Sequence, residues 1–388
     1  MEKITELCTG CRACEQVCSH HAISFGEDKE GFIVPVIDAA ACVDCGLCQK
    51  RCPQNTDVVK YAVKDIYAAR DKDDEEIYRS ASGGAFAVLA RHILIRGGYV
   101  VGAAYENHYE VSHIIIDRIE DLYKLQSSKY VQSNTKYTFS NVKKLLDIGS
   151  CVLYSGTPCQ IGGLKAYLHK DYENLVTIEV ICHGVPSPRL FRRYIRWTEK
   201  RMKGNLLFFD FRDKSNGWGL DYKTKTKTKT KTKTCLLDPY YLYFLQCKTY
   251  RECCYKCKYC TPERVCDFTI GDYWGIKQEH PEFFSSKGIS CVLVNTEKGQ
   301  ALWNSMKEEF AYIDSSFECV ARHNHNLRTP SPRPEIRDRV YTKLNVIEND
   351  DEFFKTQMPI PYNLIARVKE LVPFAIKRFI KTRLLGIK

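Results

Sequence analysis

The most constraining feature of this chain is a cysteine pattern that occurs twice within the first 52 residues. In each copy, three cysteines are separated by two residues and a fourth follows after three; the copies are Cys8, Cys11, Cys14, Cys18 and Cys42, Cys45, Cys48, Cys52. The short gaps let three thiolates bind one [4Fe-4S] cubane, and the longer gap turns the fourth cysteine toward a neighbouring cubane. The spacing therefore predicts two clusters, one held by Cys8, Cys11, Cys14 and Cys52 and the other by Cys42, Cys45, Cys48 and Cys18.

A zinc module is the alternative interpretation of these cysteines, because Cys-x2-Cys pairs also bind zinc. A tetrahedral zinc site needs four ligands, usually as two separated pairs, and does not require the spacing that this chain carries twice. The pattern favours a bacterial ferredoxin-type module, with one departure: Ser19 follows Cys18, whereas Pro53 follows Cys52. Proline at this position shapes the backbone and is not a ligand, so no predicted ligand is affected.

The length of the chain requires more than this module. About 330 of the 388 residues lie beyond it, enough for one large domain or two ordinary ones. The N-terminus carries no apolar run behind basic residues, and no stretch approaches about 18 apolar residues, so we expect neither a signal peptide nor a transmembrane helix. Twenty cysteines without an export signal are typical of thiolate ligands in a reducing compartment, so we expect a cytoplasmic location.

The net charge argues against a polyanion as the partner. The formal value is +11, but each [4Fe-4S]2+ core with four thiolates contributes about −2, so two clusters leave about +7 and three leave about +5. No helix-turn-helix signature, RNP sequence or basic helix interleaved with aromatic residues is present in the sequence. We therefore expect no nucleic-acid partner.

The order of apolar segments predicts an α+β or α/β fold, with a ferredoxin-like dicluster domain followed by a mixed α/β domain. Residues 85–95 predict a buried helix that is capped by Ser82 and ends before Gly97. Residues 151–182 follow a strand–loop–helix–strand order, which is typical of an α/β unit. We divide the chain into a cluster module, two parts of a main body, and a linker with a C-terminal tail: 1–60, 61–140, 141–330 and 331–388.

Two further segments have unusual charge patterns. Six Lys-Thr pairs at residues 223–234 predict either a strand with threonines on one face and lysines on the other, or a poorly ordered hairpin; a functional basic patch is a third interpretation. From Pro361 onward the pattern is typical of a basic amphipathic helix interrupted at Pro373. Such a helix packs on its own domain or, as the alternative, makes peripheral contact with an anionic membrane.

Six short blocks in the main body form a recognisable set. They are Ser82-Gly83-Gly84, Ser128-Lys129-Tyr130-Val131-Gln132-Ser133, Gly156-Thr157-Pro158-Cys159-Gln160, Cys182-His183-Gly184, Cys254-x2-Cys257 and Gly271-Asp272-Tyr273-Trp274-Gly275. Together they resemble the coenzyme F420 hydrogenase/dehydrogenase beta subunit family over residues 64–330. The fused ferredoxin module is similar to the bacterial branch of that family.

The resemblance implies that the mixed α/β domain is a flavin-binding domain, because members of this family bind FAD without a GxGxxG motif, which this chain also lacks. Glycines allow backbone N–H groups to approach a pyrophosphate, and Lys129 could pair with a phosphate or with the flavin ring. Each block alone is more often a plain helix cap or loop. The residues implied for FAD are Ser82, Gly83, Gly84, Ser128, Lys129, Tyr130, Gln132, Ser133, Gly156, Thr157 and Pro158.

The cysteines of these blocks suggest a third [4Fe-4S] cluster with Cys159, Cys182, Cys254 and Cys257 as ligands. Cys253, Cys260 and Cys266 lie nearby in sequence and leave the ligand set open, as does a zinc site, whereas Cys151 and Cys291 lie in apolar strands and are expected in the core. His183 and Lys129 are the candidate catalytic residues; His183 could donate a proton near the flavin or be a hydrogen-bonded loop residue. Asp267 and Asp272 are expected to be turn or helix-capping residues in the first place, and site residues only as the second interpretation.

These features together predict an iron–sulfur flavoprotein oxidoreductase. We expect it to pass electrons between [4Fe-4S] clusters and FAD and to exchange a hydride with an organic substrate or a deazaflavin coenzyme. The expected partners are a ferredoxin or a partner oxidoreductase subunit and a small-molecule substrate. A non-catalytic electron-transfer subunit and a redox sensor are the two alternatives.

Overall fold

The structure is a computed structural model and describes residues 7–361. The strands are β1 Ile23–Glu27, β2 Ile33–Ile37, β3 Asp65–Asp71, β4 Tyr99–Tyr105, β5 Val111–Ile116, β6 Val152–Gly156, β7 Leu175–Val180, β8 Phe208–Asp210, β9 Asp221–Lys225, β10 Thr230–Thr234, β11 Phe268–Asp272, β12 Ser290–Val294 and β13 Phe310–Asp314. The helices are α1 Ala13–Gln16, α2 Leu47–Lys50, α3 Asp74–Arg79, α4 Ala85–Ile95, α5 Thr138–Asp147, α6 Pro158–Leu168, α7 Pro188–Met202, α8 Pro239–Leu245, α9 Ile276–Glu279, α10 Glu297–Met306, α11 Phe317–His323, α12 Ile336–Leu344 and α13 Asp350–Thr356.

The cysteine module repeats its local structure as it repeats its sequence. Strands β1 and β2 form an antiparallel pair with Ile23 opposite Ile37. The short helices α1 and α2 each follow a residue with left-handed backbone, Arg12 at φ 65° and Gly46 at φ 71°. This turn lets a cysteine at the start of each run and one inside the helix face the same point.

The main body is built on one eight-stranded mixed sheet with the order β13-β3-β12-β11-β7-β6-β4-β5. Strands β4, β6, β7 and β11 pair in parallel, and β12 runs antiparallel to both β11 and β3. This confirms the predicted mixed α/β fold class. Strands from the regions 61–140 and 141–330 hydrogen-bond within the same sheet.

Helices cover both faces of the sheet, which explains the continuous apolar runs of its central strands. Successive residues of β6 point to opposite faces. Leu153 belongs to the core beneath α4 and α10, whereas Val152 and Tyr154 belong to the core beneath α5 and α6. All three side chains are fully buried.

One predicted helix cap needs correction. Helix α4 begins at Ala85 with Gly84 as its N-cap at φ 88°, so the predicted cap at Ser82 is wrong. The Ser82 hydroxyl instead donates to the carbonyl of Ile289 (2.7 Å), because the preceding loop crosses the end of β12. Helix α6 begins at Pro158 and is held by a capping box between Thr157 and Gln160. Cys159 therefore lies in the first helical turn.

The Lys-Thr repeat forms the hairpin of β9 and β10, at the edge of a three-stranded sheet with β8. Lysine and threonine alternate between faces within each strand, but the register places Thr224 opposite Lys231 and Lys223 opposite Thr232. Directly opposite residues share a face, so the expectation that all lysines would lie on one face is wrong for the hairpin as a whole. The register avoids lysine opposite lysine, which would be repulsive.

The C-terminal segment is only partly described. Pro361 is the last described residue, so the predicted amphipathic helix and its interruption at Pro373 lie outside the described residues. Within residues 7–361, no helix combines the length and apolar character needed to cross a membrane.

Candidate metal centres

The candidate loops leave one edge of the main sheet. Parallel strands β4, β6, β7 and β11 end at this edge, and β3 ends there as well. The Ser82 loop, Thr157, Cys182 and Asp272 follow these strand ends. The carboxyl end of parallel strands is where α/β folds place their sites, so the topology gathers the predicted blocks along one line.

The first cluster site consists of Cys8, Cys11, Cys14 and Cys52. Burial raises the pKa of Cys14, and the neighbouring charges of Cys11, Cys8 and Cys52 raise it further. Cys52 therefore lies beside three cysteines of the other run. The N–H of Gly10 donates to Cys8 Sγ (3.3 Å), an interaction that stabilises a thiolate.

The second cluster site consists of Cys18, Cys42, Cys45 and Cys48. Burial raises the pKa of Cys48, and the charges of Cys45 and Cys18 contribute, so cysteines from both runs are again neighbours. Cys45 is exposed, and Val43 beside it is 58% exposed. Because Cys11 of the first site is buried, the second site is the outer one.

A third group of cysteines lines one cavity, which we call the six-cysteine cavity. It contains all four predicted ligands of a third cluster, together with two neighbours that the sequence left open. The six are Cys159, Cys182, Cys253, Cys254, Cys257 and Cys260. Residues from three separate segments meet here: the first turn of α6, the end of β7, and the stretch 253–260.

The other cysteines are engaged elsewhere. Cys266 is buried, and its thiol donates to the carbonyl of Phe268 (2.9 Å). Cys291 is fully buried in β12 and Cys151 packs against the core under α4, both as expected. In residues 7–361, no three His, Cys, Asp or Glu side chains converge as ligands of a single ion do; a cubane instead spreads its thiolates around separate irons.

The donor set of the six-cysteine cavity fits an iron–sulfur cluster. Hydrogen bonding from Cys260 lowers the pKa of Cys257, with a contribution from the Arg264 guanidinium. Burial raises the pKa of Cys159 and of Cys182, so these thiols need a bound metal to ionise. Arg264 itself pairs with buried Glu179 and donates to the carbonyls of Tyr259 (3.2 Å) and Thr261 (2.8 Å).

The ferredoxin module docks with its first site toward this cavity. Thr9 and Gln54 of the module line the cavity together with the six cysteines. Arg251, two residues before Cys253, donates to the carbonyls of Cys8 (2.6 Å) and Ile33 (2.9 Å). Burial is the main cause of the raised pKa of Cys8, and the charge of Cys253 raises it further. The two cysteine groups are therefore neighbours.

The residues implied for FAD lie along the same edge, and several of their polar groups bond within the protein. Lys129 Nζ donates to the carbonyls of Gln126 (2.6 Å) and Lys124 (3.1 Å), and burial lowers its pKa to about 7. Gln132 accepts from the N–H of Ile33 (2.9 Å) and so binds the module. Two other side chains of this block form hydrogen bonds, Ser133 with His113 and Tyr130 with Arg212. Ser128 is half-buried.

The glycines of the Ser82 block have packing roles. A Cβ atom at Gly83 would lie 2.6 Å from the carbonyl oxygen of Ala69, so the loop lies directly on β3. Gly156 ends β6, and the Thr157 hydroxyl interacts with Gln160 (3.1 Å) and with Cys159 Sγ (3.1 Å). Of the residues implied for FAD, Pro158 alone borders the six-cysteine cavity. These contacts therefore identify no flavin site among the described residues.

His183 lines the six-cysteine cavity, whereas Lys129 does not. Burial lowers the pKa of His183, and the nearby His325 lowers it further, so the imidazole is neutral at pH 7. Asp267 accepts from the hydroxyls of Thr177 (2.8 Å) and Thr296 (2.6 Å), so it links β7 to the N-cap residue of α10.

Sequence reasoning missed a polar network around Asp272. Arg212 donates to both carboxylate oxygens of Asp272 (2.6 and 2.7 Å), and Trp218 Nε1 donates to one of them (2.8 Å). The indoles of Trp218 and Trp274 stack with centroids 5.2 Å apart. Arg212 and Trp218 are distant from Asp272 in sequence and belong to no recognisable motif, so nothing local signalled them.

Comparisons with known proteins match two segments of the chain. A protein-family model for the C terminus of the coenzyme F420 hydrogenase/dehydrogenase beta subunit matches residues 149–315, and a 4Fe-4S dicluster domain model matches residues 7–56. Ferredoxin-3 of Chlorobaculum tepidum is 51% identical over 43 residues, which are 11% of this chain and 61% of that ferredoxin. The chain thus spans less than two thirds of its curated relative.

A solved structure is also similar. It is a chain in the xenon-derivatised F420-reducing [NiFe] hydrogenase complex of Methanosarcina barkeri, at a TM-score of 0.44 and 15% identity, with 69% of this chain and 89% of that chain covered. The assignment of the two segments depends on the family-model matches and not on this structural similarity. Residues 7–56 are a 4Fe-4S dicluster domain, and residues 149–315 match the C terminus of the coenzyme F420 hydrogenase/dehydrogenase beta subunit.

Proposed function

We propose that this chain is an iron–sulfur electron-transfer protein in which the six-cysteine cavity holds a third [4Fe-4S] cluster next to the ferredoxin module. The observation that carries the proposal is that one cavity is lined both by six cysteines and by Thr9 and Gln54 of the module. When bound, a [4Fe-4S] cluster exchanges one electron at a time. The chain positions three such sites in sequence, from the exposed second site through the first site to the cavity.

The protein's own residues fix this arrangement. Arg251 and Gln132 tie the module to the main body through the backbone of Cys8, Thr9 and Ile33. Burial of Cys11, Cys253 and Cys260 keeps water away from the inner sites. The second cluster site, where Cys45 is exposed, is the surface at which we expect a redox partner to bind. We propose that this partner is a ferredoxin or a partner oxidoreductase subunit.

Iron and acid-labile sulfide quantification after anaerobic purification tests the proposal. We expect about twelve irons per chain, because three cubanes each hold four. About eight irons would leave only the two clusters of the module and would contradict the third site. Zinc in place of the third group of irons would also contradict it.

Oxidation or reduction of an organic substrate through FAD is the second candidate, and the gathering of the family blocks at one sheet edge favours it. The substrate could be a small organic molecule or a deazaflavin coenzyme, and the setting is proposed to be cytoplasmic. The test is flavin quantification and steady-state turnover of the single chain with reduced ferredoxin. Absence of flavin after reconstitution would leave electron transfer alone, and flavin without turnover would favour a redox sensor.

A further inference from the structure

Tyr259 lies at the junction of the two inner cysteine groups. It lines the six-cysteine cavity between Cys257 and Cys260 and is only 3% exposed. The charges that act on its phenol come from both groups, Cys159 and Cys257 of the cavity and Cys11 and Cys52 of the first cluster site.

The hydroxyl of Tyr259 has no hydrogen-bond partner among residues 7–361, although it is buried. A buried hydroxyl without a partner is destabilising, because it loses its hydrogen bonds to water. Proteins therefore leave such groups unpaired rarely, and an unpaired one facing a cofactor site points to an acceptor on the cofactor.

Helix α6 makes room for this hydroxyl. A Cβ atom at Gly162 would collide with the Tyr259 hydroxyl, and one at the next residue, Gly163, would lie 2.9 Å from Cys11 Sγ. The same helix carries Cys159 in its first turn. The two glycines thus let one helix contact a predicted ligand of each cluster and the phenol between them.

We propose that the Tyr259 hydroxyl donates a hydrogen bond to a sulfur of the [4Fe-4S] cluster in the six-cysteine cavity and raises the reduction potential of that cluster. The inference rests on the proposed function, because it needs a cluster in the cavity. Hydrogen bonds to sulfur favour the reduced state, which carries one more negative charge. The donor therefore tunes how readily this site accepts an electron relative to the first site.

The test is an EPR-monitored redox titration of the full-length chain, with iron counted in every sample. Tyr259→Phe removes only the hydroxyl, and we expect unchanged iron content with one cluster potential moved to a more negative value. Replacement of Tyr259 by 3-fluorotyrosine keeps the ring and strengthens the donor, so we expect the same potential to move in the positive direction. Tyr241→Phe is the matched control, because its hydroxyl is also buried and unpartnered but lies in the aromatic core.

The outcomes separate the two proposals. About eight irons in the unmodified chain would overturn both the third cluster and the role of Tyr259. About twelve irons with potentials that respond to neither Tyr259 replacement would overturn the role of Tyr259 alone. If Tyr259→Phe fails to fold, the 3-fluorotyrosine shift decides, because that substitution preserves the packing.

Discussion

Gly163 of helix α6 lies directly against Cys11 of the ferredoxin module: a Cβ atom at Gly163 would lie 2.9 Å from Cys11 Sγ. The two residues are far apart in the sequence, yet their contact fixes how closely the first cluster site approaches the main body. Nearby, the Thr135 hydroxyl donates to the carbonyl of Cys11 (2.9 Å). Close backbone approach at this point is therefore part of the proposed electron path.

Gly163→Ala is expected to damage the first cluster site. The added methyl group would overlap Cys11, and overpacking of a tight core typically costs about 1–3 kcal/mol. We expect a lower thermal midpoint and loss of up to about four irons per chain. Gly204→Ala is the control, because its Cβ would lie 3.7 Å from Thr226 at ordinary contact distance. Full iron content in Gly163→Ala would contradict the prediction.

Serine substitutions will identify the ligands of the six-cysteine cavity. Substitution of each predicted ligand in turn, Cys159, Cys182, Cys254 and Cys257, should remove about four of about twelve irons. Cys253→Ser and Cys260→Ser should leave the iron content unchanged, and Cys151→Ser outside the cavity is the control. Loss of iron in the Cys253 or Cys260 variant, with retention in one of the four, would reassign the ligand set.

His113 should make the fold sensitive to acid. Burial lowers the pKa of His113 to about 4, from an ordinary value of 6.5, and the imidazole contacts Ser133 and the carbonyl of Ser155. In the unfolded state His113 binds a proton below pH 6.5, whereas in the folded state it binds one only near pH 4. Its contribution to the free energy of unfolding is therefore complete above pH 6.5 and is lost as the pH is lowered from 6.5 to about 4.

The measurement is denaturant unfolding at pH 7 and pH 5. We expect this residue to account for about 2 kcal/mol of the loss between the two values. His113→Asn should lose correspondingly less stability over the same interval. An equal loss in both proteins would show that His113 is not the group responsible.

A lysine placed opposite another lysine should weaken the β9–β10 hairpin. Thr230 lies opposite Lys225, so Thr230→Lys places two lysines directly across the strand pair. We expect a loss of about 0.2–1 kcal/mol that diminishes in high salt, because the repulsion is screened. Thr228→Lys, in the turn, is the control. A loss that is independent of salt would point to a packing effect.

The sequence by itself determined the features that are encoded over short distances. The doubled cysteine spacing predicted a dicluster module because ligands a few residues apart can wrap one cubane without help from the rest of the chain. Apolar runs such as residues 175–180 predicted buried strands, and the alternation of strands and helices predicted the mixed α/β body. The same local reasoning chose Ser82 as a helix cap, where the loop geometry uses Gly84.

Only the tertiary structure decided which distant residues meet. It gathered Cys159, Cys182 and the cysteines of 253–260 around one cavity and set the module against it. Two of the residues that the resemblance implied for FAD, Lys129 and Gln132, bond there to the backbone and to the module. Such contacts depend on strand order and helix packing across more than a hundred residues. No local spacing encodes them, and for that reason the roles of Gly163, Arg251 and Tyr259 could not be read from the sequence.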